Sequence, residues 1–196
     1  MSGYDVFFAD FREYDIGPFS VVFKKIAVLR DAFTRFPSAK WLWWLDFDAI
    51  IMTSTIPLGH HILNPSSLLS KMRKNETIDV HVIDGSSHVS LNISPDPDPN
   101  DINFIISEDV ASINAGSFFI RRSDWAEIVL DLWMDPLYRD FVCQEQDAII
   151  HMIANHRFVS DHVALVPQRT INSYATVDGG EMWQEGDLAV HFAGCG

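Results

Sequence analysis

Cysteine is scarce in this sequence: Cys143 and Cys195 are the only two among 196 residues. Two thiols cannot build a disulfide framework, and their separation is not a metal-ligand spacing. One bridge between them and two buried free thiols both remain open. Long apolar runs are missing too. None approaches the roughly 18 residues of a membrane-crossing helix, and residues 1–20 do not read as a signal peptide. Positive charge is in deficit, with 14 Lys and Arg against 27 Asp and Glu and a formal net charge of −13. That balance argues against a nucleic-acid backbone or an anionic membrane as the main partner. A phosphorylated ligand stays compatible with it, provided a metal or a local basic group supplies positive charge.

What is present suits one folded domain over residues 1–196: 47% hydrophobic and 21% charged residues, with no repeat and no long linker. "YDVFFAD" (4–10) reads as a short strand. "FSVVFKKIAVLRDAFTRF" follows as a helix, with Val22, Ile26, Leu29 and Phe33 on one face. "KWLWWLDFDAIIM" (40–52) reads as the best buried strand and the centre of the sheet. "NPSSLLSKMRKN" opens a helix on a capping Asn64 and Pro65. "IDVHVID" is a strand, and the Gly-, Ser-, Pro- and Asn-rich stretch from Gly85 to Asn103 reads as a mobile loop. "INAGSFFIRRS" reads as a strand interrupted at Ala115 and Gly116. Helices are expected in "SDWAEIVLDLWMDPLY", capped by Ser123 or Asp124, and in "QEQDAIIHMIANH". "HVALVPQRTINSY" and "DLAVHFAGC" close the chain as strands. This rhythm predicts an α/β sandwich around a largely parallel sheet, with ligands beyond the strands' carboxyl ends.

Asp10, Asp46, Asp48 and His191 fall at or near those predicted ends. An unpaired carboxylate at the end of "WLWWL" would be costly to bury. Asp46 and Asp48, two residues apart on extended chain, share a side and suit one hard cation with open positions for phosphate oxygens. The bare tripeptide suits a solvated turn equally well. His191 reads either as a satisfied core histidine or, with two aspartates, as a ligand set fitting Mn²⁺ better than Ca²⁺. Its neighbour Gly194 lies in a small-residue turn where backbone can approach a ligand. Asn114 and Gly116 suggest close ligand approach within a strand. Glu145, Gln146 and Asp147 sit on the first turn of a helix, where dipole pairing competes with a functional role. Lys25 and Arg30 read either as part of a solvated helix face or as basic groups that could reach a diphosphate. Sequons occur at Asn75 and Asn92.

Six ordered segments, "FKKIAVLRDAF", "FPSAKWLWWLDFDAIIM", "INAGSFFIRRSDW", "EQDAIIHMI", "VALVPQRTINSY" and "GDLAVHFAGC", resemble glycosyltransferase family 34. That family holds fungal α-1,6-mannosyltransferases and α-galactosyltransferases, and is related to plant xyloglucan xylosyltransferases. The resemblance implies a GT-A, Rossmann-like fold and retaining transfer of mannose or galactose from GDP-mannose or UDP-galactose to a glycan acceptor. It implies Mn²⁺ on Asp46, Asp48 and His191. It places Asn114 and Gly116 beside the donor sugar, Glu145, Gln146 and Asp147 near the reacting carbon, and Lys25 on the helix before the acids. It further implies a type II membrane protein of the Golgi lumen, anchored outside this chain, and complexes with homologous transferases.

Family members carry an anchor, a stem and a further strand before the equivalent of Tyr4, and plant relatives have lysine where Gly196 stands. The chain is therefore expected to be a truncated catalytic core. Two other readings compete. A degenerate GT-A domain would bind a nucleotide sugar or glycan, or pair with an active homologue. A phosphohydrolase would use the first Asp of D-x-D-x-[TV] as nucleophile, but Ile50 stands where Thr or Val belongs.

Overall fold

A computed structural model describes residues 3–82, 87–94, 96–109, 112–176 and 180–193. Its main sheet has the order β1 (Trp41–Leu45), β6 (Ile113–Arg121), β5 (Phe104–Glu108), β7 (Val163–Val166). Period-two alternation sorts its side chains to two faces. Phe104, Ile106, Phe118, Ile120 and Leu165 enter one apolar cluster with Ile26, Leu29 and Phe33 of helix α1 (Lys24–Arg35). Leu130 and Trp133 of α3 (Asp124–Trp133) and Ile149 of α4 (Gln144–Asn155) join the same cluster. Ile105, Phe119, Ala164 and Val166 enter a second cluster with Leu68 of α2 (Pro65–Lys71) and Ile62 of a π-helical turn, Gly59–Leu63. Both faces are covered, which is why these strands read as continuous apolar runs instead of alternating ones.

The sheet is mixed, not largely parallel. Only β5 and β7 run parallel, while β1 pairs β6 and β6 pairs β5 antiparallel. Strand β5 is absent from the sequence reading. It lies just after the Pro- and Asp-rich stretch, and the four residues between β5 and β6 are too few for a helical crossover, so the pair must be antiparallel. β1 is an edge strand with every residue half-buried, not the centre of the sheet. Its tryptophans are needed there because one rim is left without a strand neighbour. Trp43 stacks on Phe119 at 5.1 Å, and Trp44 lies between Phe11 and Phe118 at 6.4 Å from each.

Other expectations shift as well. Tyr4–Asp10 forms no strand; the first regular element is a 3₁₀ turn, Phe11–Glu13. β6 is one strand, but its register against β5 jumps at the expected place: Ile106 faces Phe118 and Ser107 faces Asn114, so Ala115, Gly116 and Ser117 bulge out of that ladder. The stretch expected to be a mobile loop contributes β4 (Ser87–Asn92), antiparallel to β3 (Thr77–Val82). Val89, Leu91 and Ile93 alternate in sequence, a strand pattern outweighed in composition by the neighbouring Gly, Ser and Pro. Residues 83–86 and 95 of that region lie outside the described residues. Sequon residue Asn75 is exposed in a turn at φ 53°, and its N–H donates to Ser94 O at 3.1 Å. Helix caps follow the sequence: Asn64 accepts from Ser67 N, and Ser123, not Asp124, accepts from Ala126 N. α5 (Arg157–Ser160) leads into β7, and the last predicted strands shorten to β8 (Ser173–Tyr174) and β9 (Ala189–His191).

Arg122 fastens α1 to the end of β6. Its guanidinium donates to the carbonyls of Phe33 at 2.6 Å, Phe36 at 2.7 Å and Ala39 at 3.0 Å. It also lies 4.7 Å over the Phe33 ring. Phe33 O lies in the last turn of α1, where carbonyls lack intrahelical donors, and Phe36 and Ala39 follow it in the turn beyond. Arg122→Met should therefore lower stability by about 2–3 kcal/mol, the worth of charged hydrogen bonds lost to buried acceptors. Urea unfolding checks this; a midpoint unchanged from wild type would contradict it.

Candidate metal and ligand site

The two acids come together by a turn, not by strand alternation. Asp46 N–H donates to Gly116 O at 2.8 Å, extending the β1–β6 ladder by one bond. Ala49 N–H then donates back to Asp46 O at 3.0 Å, closing a turn that leaves Phe47 fully exposed. From Ala49 the chain enters β2 (Ala49–Ile51), the edge of a three-stranded sheet ordered β2-β9-β8. Register sets Ala49 opposite His191, and Phe192 N–H donates to Asp48 O at 2.9 Å. One ligand-capable atom each from Asp46, Asp48 and His191 therefore lies within 4.8 Å of the others.

His191 is buried and its Nδ1 lies 3.0 Å from Asn172 Oδ1. An amide oxygen only accepts, so Nδ1 carries the proton and Nε2 is the nitrogen left for a ligand. Nε2 faces Asp48 Oδ1 at 3.2 Å. Two acceptors that close attract only through a proton on Nε2 or a cation between them. Asp46 is arranged to match. Its Oδ1 accepts from the Trp44 indole N–H at 2.6 Å and pairs with Lys25 Nζ at 3.2 Å. Its Oδ2 takes no bond from the described residues. Two carboxylates and one imidazole with these free atoms are a donor set that could hold a divalent cation.

Gly116 makes room for this arrangement. A Cβ built there would lie 2.2 Å from His191 Cε1, 2.8 Å from Nδ1 and 2.9 Å from Asn114 Oδ1. Gly116→Ala should push the imidazole off its position and, if the three residues hold a divalent cation, weaken that binding by about tenfold or more, the scale of a displaced ligand support. A Mn²⁺ titration followed by electron spin resonance reads this, and wild-type affinity in the variant would count against the site.

Lys25 is fully buried, and each of its three donors has a partner: Glu145 Oε1 at 2.8 Å, Ala115 O at 3.0 Å and Asp46 Oδ1 at 3.2 Å. Burial alone would disfavour the ammonium, but the Glu145 and Asp46 carboxylates outweigh it and hold its pKa above the usual lysine value. The structure thus turns Lys25 inward, linking the D-x-D turn to α4, instead of leaving it free for a diphosphate. Gln146 Oε1 accepts from Ala115 N at 3.0 Å, so α4 also clasps β6 next to Gly116. Asp147 Oδ2 accepts from Cys143 N at 2.8 Å, and its buried Oδ1 has no partner among the described residues. α4 is entered through Gln144 at φ 55°, a left-handed conformation uncommon outside glycine and found disproportionately near functional sites.

Not every expected residue joins this group. Asp10 caps the Phe11–Glu13 turn, and Arg12 holds its carboxyl down to about 2 through side-chain and backbone bonds. Arg30 pairs with Asp131 between α1 and α3. Asn114 is buried, and its amide is spent on Gly116 N, Asn172 and Tyr174, not left open to solvent. Gly194 and the partner that Cys195 would offer Cys143 lie outside the described residues. Conversely, sequence reasoning passed over Trp44 and Asn172, and also Tyr174, whose ring meets His191 edge-on at 5.6 Å and whose hydroxyl donates to Asp109 Oδ2 at 2.7 Å. Burial and the Asp109 carboxylate keep that phenol protonated far above its usual range. "QRTINSY" held the signal for Asn172 and Tyr174, two polar-tipped residues in a run read as strand.

Comparison with known proteins points to one family. The sequence model of the galactosyl transferase GMA12/MNN10 family matches residues 1–196. An uncharacterized alpha-1,2-galactosyltransferase, C1289.13c, of Schizosaccharomyces pombe is 40% identical over 98% of this chain and 52% of its own length. An alpha-1,2-galactosyltransferase of the same yeast is 37% identical over 87% and 46%. A probable alpha-1,6-mannosyltransferase, MNN10, of Saccharomyces cerevisiae is 29% identical over 88% and 46%. The chain thus spans about half the length of these curated relatives. Among solved structures, a glycosyltransferase involved in the glycosylation of the major capsid of PBCV-1 has a similar fold. Its TM-score is 0.55 at 18% identity, covering 89% of this chain and 70% of that one.

Proposed function

Because this chain belongs to the galactosyl transferase GMA12/MNN10 family, glycosyltransferase family 34, we propose that it is the core of a Mn²⁺-dependent retaining hexosyltransferase. Its donor is a nucleotide sugar, GDP-mannose or UDP-galactose, and its acceptor a glycan. The observation that carries this reading is the convergence of Asp46, Asp48 and His191 within 4.8 Å.

Asp46 Oδ2, Asp48 and His191 Nε2 are the atoms that would hold the cation. A cation such as Mn²⁺ held by these residues would supply Lewis-acid stabilisation of the charge that develops on the leaving nucleotide. The protein's part is orientation. Trp44 and Lys25 fix one oxygen of Asp46, so the other need not reorganise when a ligand arrives. Lys25 carries the same constraint to Glu145, and Gln146 ties the helix to β6, so the first turn of α4 keeps a fixed distance from the acids. Glu145, Gln146 and Asp147 are thereby proposed to border the reacting sugar, with Asn114 and Gly116 on its other flank. Glu145 is held by Lys25 and Gln146 by Ala115 N–H, while Asp147 Oδ1 is buried without a partner among the described residues. Transfer with retention is proposed as a same-face exchange. The acceptor oxygen bonds the anomeric carbon as its bond to phosphate breaks, and the acceptor proton passes to the departing phosphate oxygen.

This reading brings the Golgi lumen as the place of work, an anchor outside this chain and homologous transferases as partners. Among the described residues no helix is long and apolar enough to cross a membrane. Incubation with each donor, a mannose-containing acceptor and Mn²⁺ or EDTA tests the proposal. Transfer from one donor, dependent on Mn²⁺, is expected. If neither donor is turned over while nucleotide still binds, a non-catalytic binding domain replaces the enzyme.

A further inference from the structure

Behind His191 lies a chain of three hydrogen bonds whose direction one backbone group determines. Gly116 N–H donates to Asn114 Oδ1 at 2.9 Å. A backbone N–H can only donate, so that Asn114 atom must be the oxygen. The group of Asn172 that meets the same oxygen at 2.9 Å must therefore be its NH₂. The other end of Asn172 is then its oxygen, and it faces His191 Nδ1 at 3.0 Å. All three residues are buried, Asn172 completely, so water does not compete at any link.

We infer that Asn172 is a positioning residue for the site. Through this relay the Gly116 N–H fixes the His191 proton on Nδ1 and presents Nε2, with its lone pair, to Asp46 and Asp48. The inference rests on the reading that these three residues hold a divalent cation, and adds what orients the imidazole for it. The site could not choose the tautomer locally. Asp48 Oδ1, 3.2 Å from Nε2, would by itself favour a proton on Nε2, which would block coordination. The relay opposes that preference. It also explains why Gly116 is doubly constrained: its missing Cβ leaves space for the ring, and its N–H sets the ring's chemistry.

The test uses the whole chain labelled with ¹⁵N-histidine, metal-free, at a pH where the imidazole is neutral. His191 is assigned by its disappearance in His191→Gln. Long-range proton–nitrogen spectra should show His191 protonated on Nδ1 and bare on Nε2. Mn²⁺ affinity, measured by electron spin resonance, should fall about 10- to 100-fold in Asn172→Leu, the usual effect of losing an outer-shell partner. In Asn172→Leu the same spectra should show the proton moved toward Nε2, beside Asp48, a change that mere loss of packing does not require. A wild-type His191 protonated on Nε2, or full Mn²⁺ affinity in a folded Asn172→Leu protein, overturns the inference. Should wild type show the Nδ1 proton yet bind no Mn²⁺, the relay stands, and it is the cation reading, with Asn172's role toward it, that falls.

Discussion

Asp48→Asn should leave the fold intact and remove Mn²⁺-dependent donor binding, with affinity down on the order of a hundredfold or more. The reasoning is positional. Asp48 contributes its backbone carbonyl, not its side chain, to the ladder that anchors the turn, through the 2.9 Å bond from Phe192 N. Its carboxylate is over a third exposed and, among the described residues, pairs with the facing His191 Nε2. Replacing it with an amide deletes one of the two formal charges offered to the cation while leaving the turn's hydrogen bonds in place. Thermal unfolding should thus change little, and calorimetric titration of the nucleotide in Mn²⁺ should change greatly. Donor affinity equal to wild type in this variant would remove the acids from the site.

The second large effect concerns stability. Lys25→Met should cost about 3–5 kcal/mol, as breaking a buried ion pair from one side does, and lower the melting temperature on the order of 10 °C for a chain of this size. The loss comes from what remains: a Glu145 carboxylate buried to 91% of its side chain, and an Ala115 carbonyl with its donor gone. Lys25→Met combined with Glu145→Gln should recover much of it, because no buried charge is then left alone. The pH dependence has a definite sign. The folded-state pKa of Lys25 is raised above the ordinary 10.5, since the two carboxylates outweigh burial. Its contribution is therefore complete below the ordinary value and is lost as pH climbs through the raised one. The stability gap between wild type and Lys25→Met should close only in strong alkali; a gap that is constant there, or absent at neutral pH, contradicts the clamp.

How much of this the sequence disclosed depends on whether the information was local. α1 was legible because Ile26, Leu29 and Phe33 repeat at helical spacing, and its two neighbouring helices because Asn64 and Ser123 cap them. The acids and His191 stood out because polar groups ending apolar strands need a reason. What stayed hidden is long-range. Nothing within "WLWWL" says that β1 lies at an edge, since an edge strand flanked by Phe11, Phe118 and Phe119 needs as much apolar surface as a central one. The Asp46–Asp48 geometry depends on a turn and on the Ala49–His191 register, which pairs residues 142 positions apart. Lys25 read either as a solvated helix residue or as a diphosphate contact; its burial is set by Glu145 and Asp46, two segments that meet only in the fold. Asn172 was invisible for the same reason, its two partners lying 58 and 19 residues away.

The most direct test of the central claim is calorimetric titration of the wild-type chain with UDP and with GDP, each in Mn²⁺ and in EDTA. The account predicts that one nucleotide binds in Mn²⁺ and that its binding disappears in EDTA. Equal binding with and without the metal would contradict it, because Asp46, Asp48 and His191 would then have no part in holding the donor.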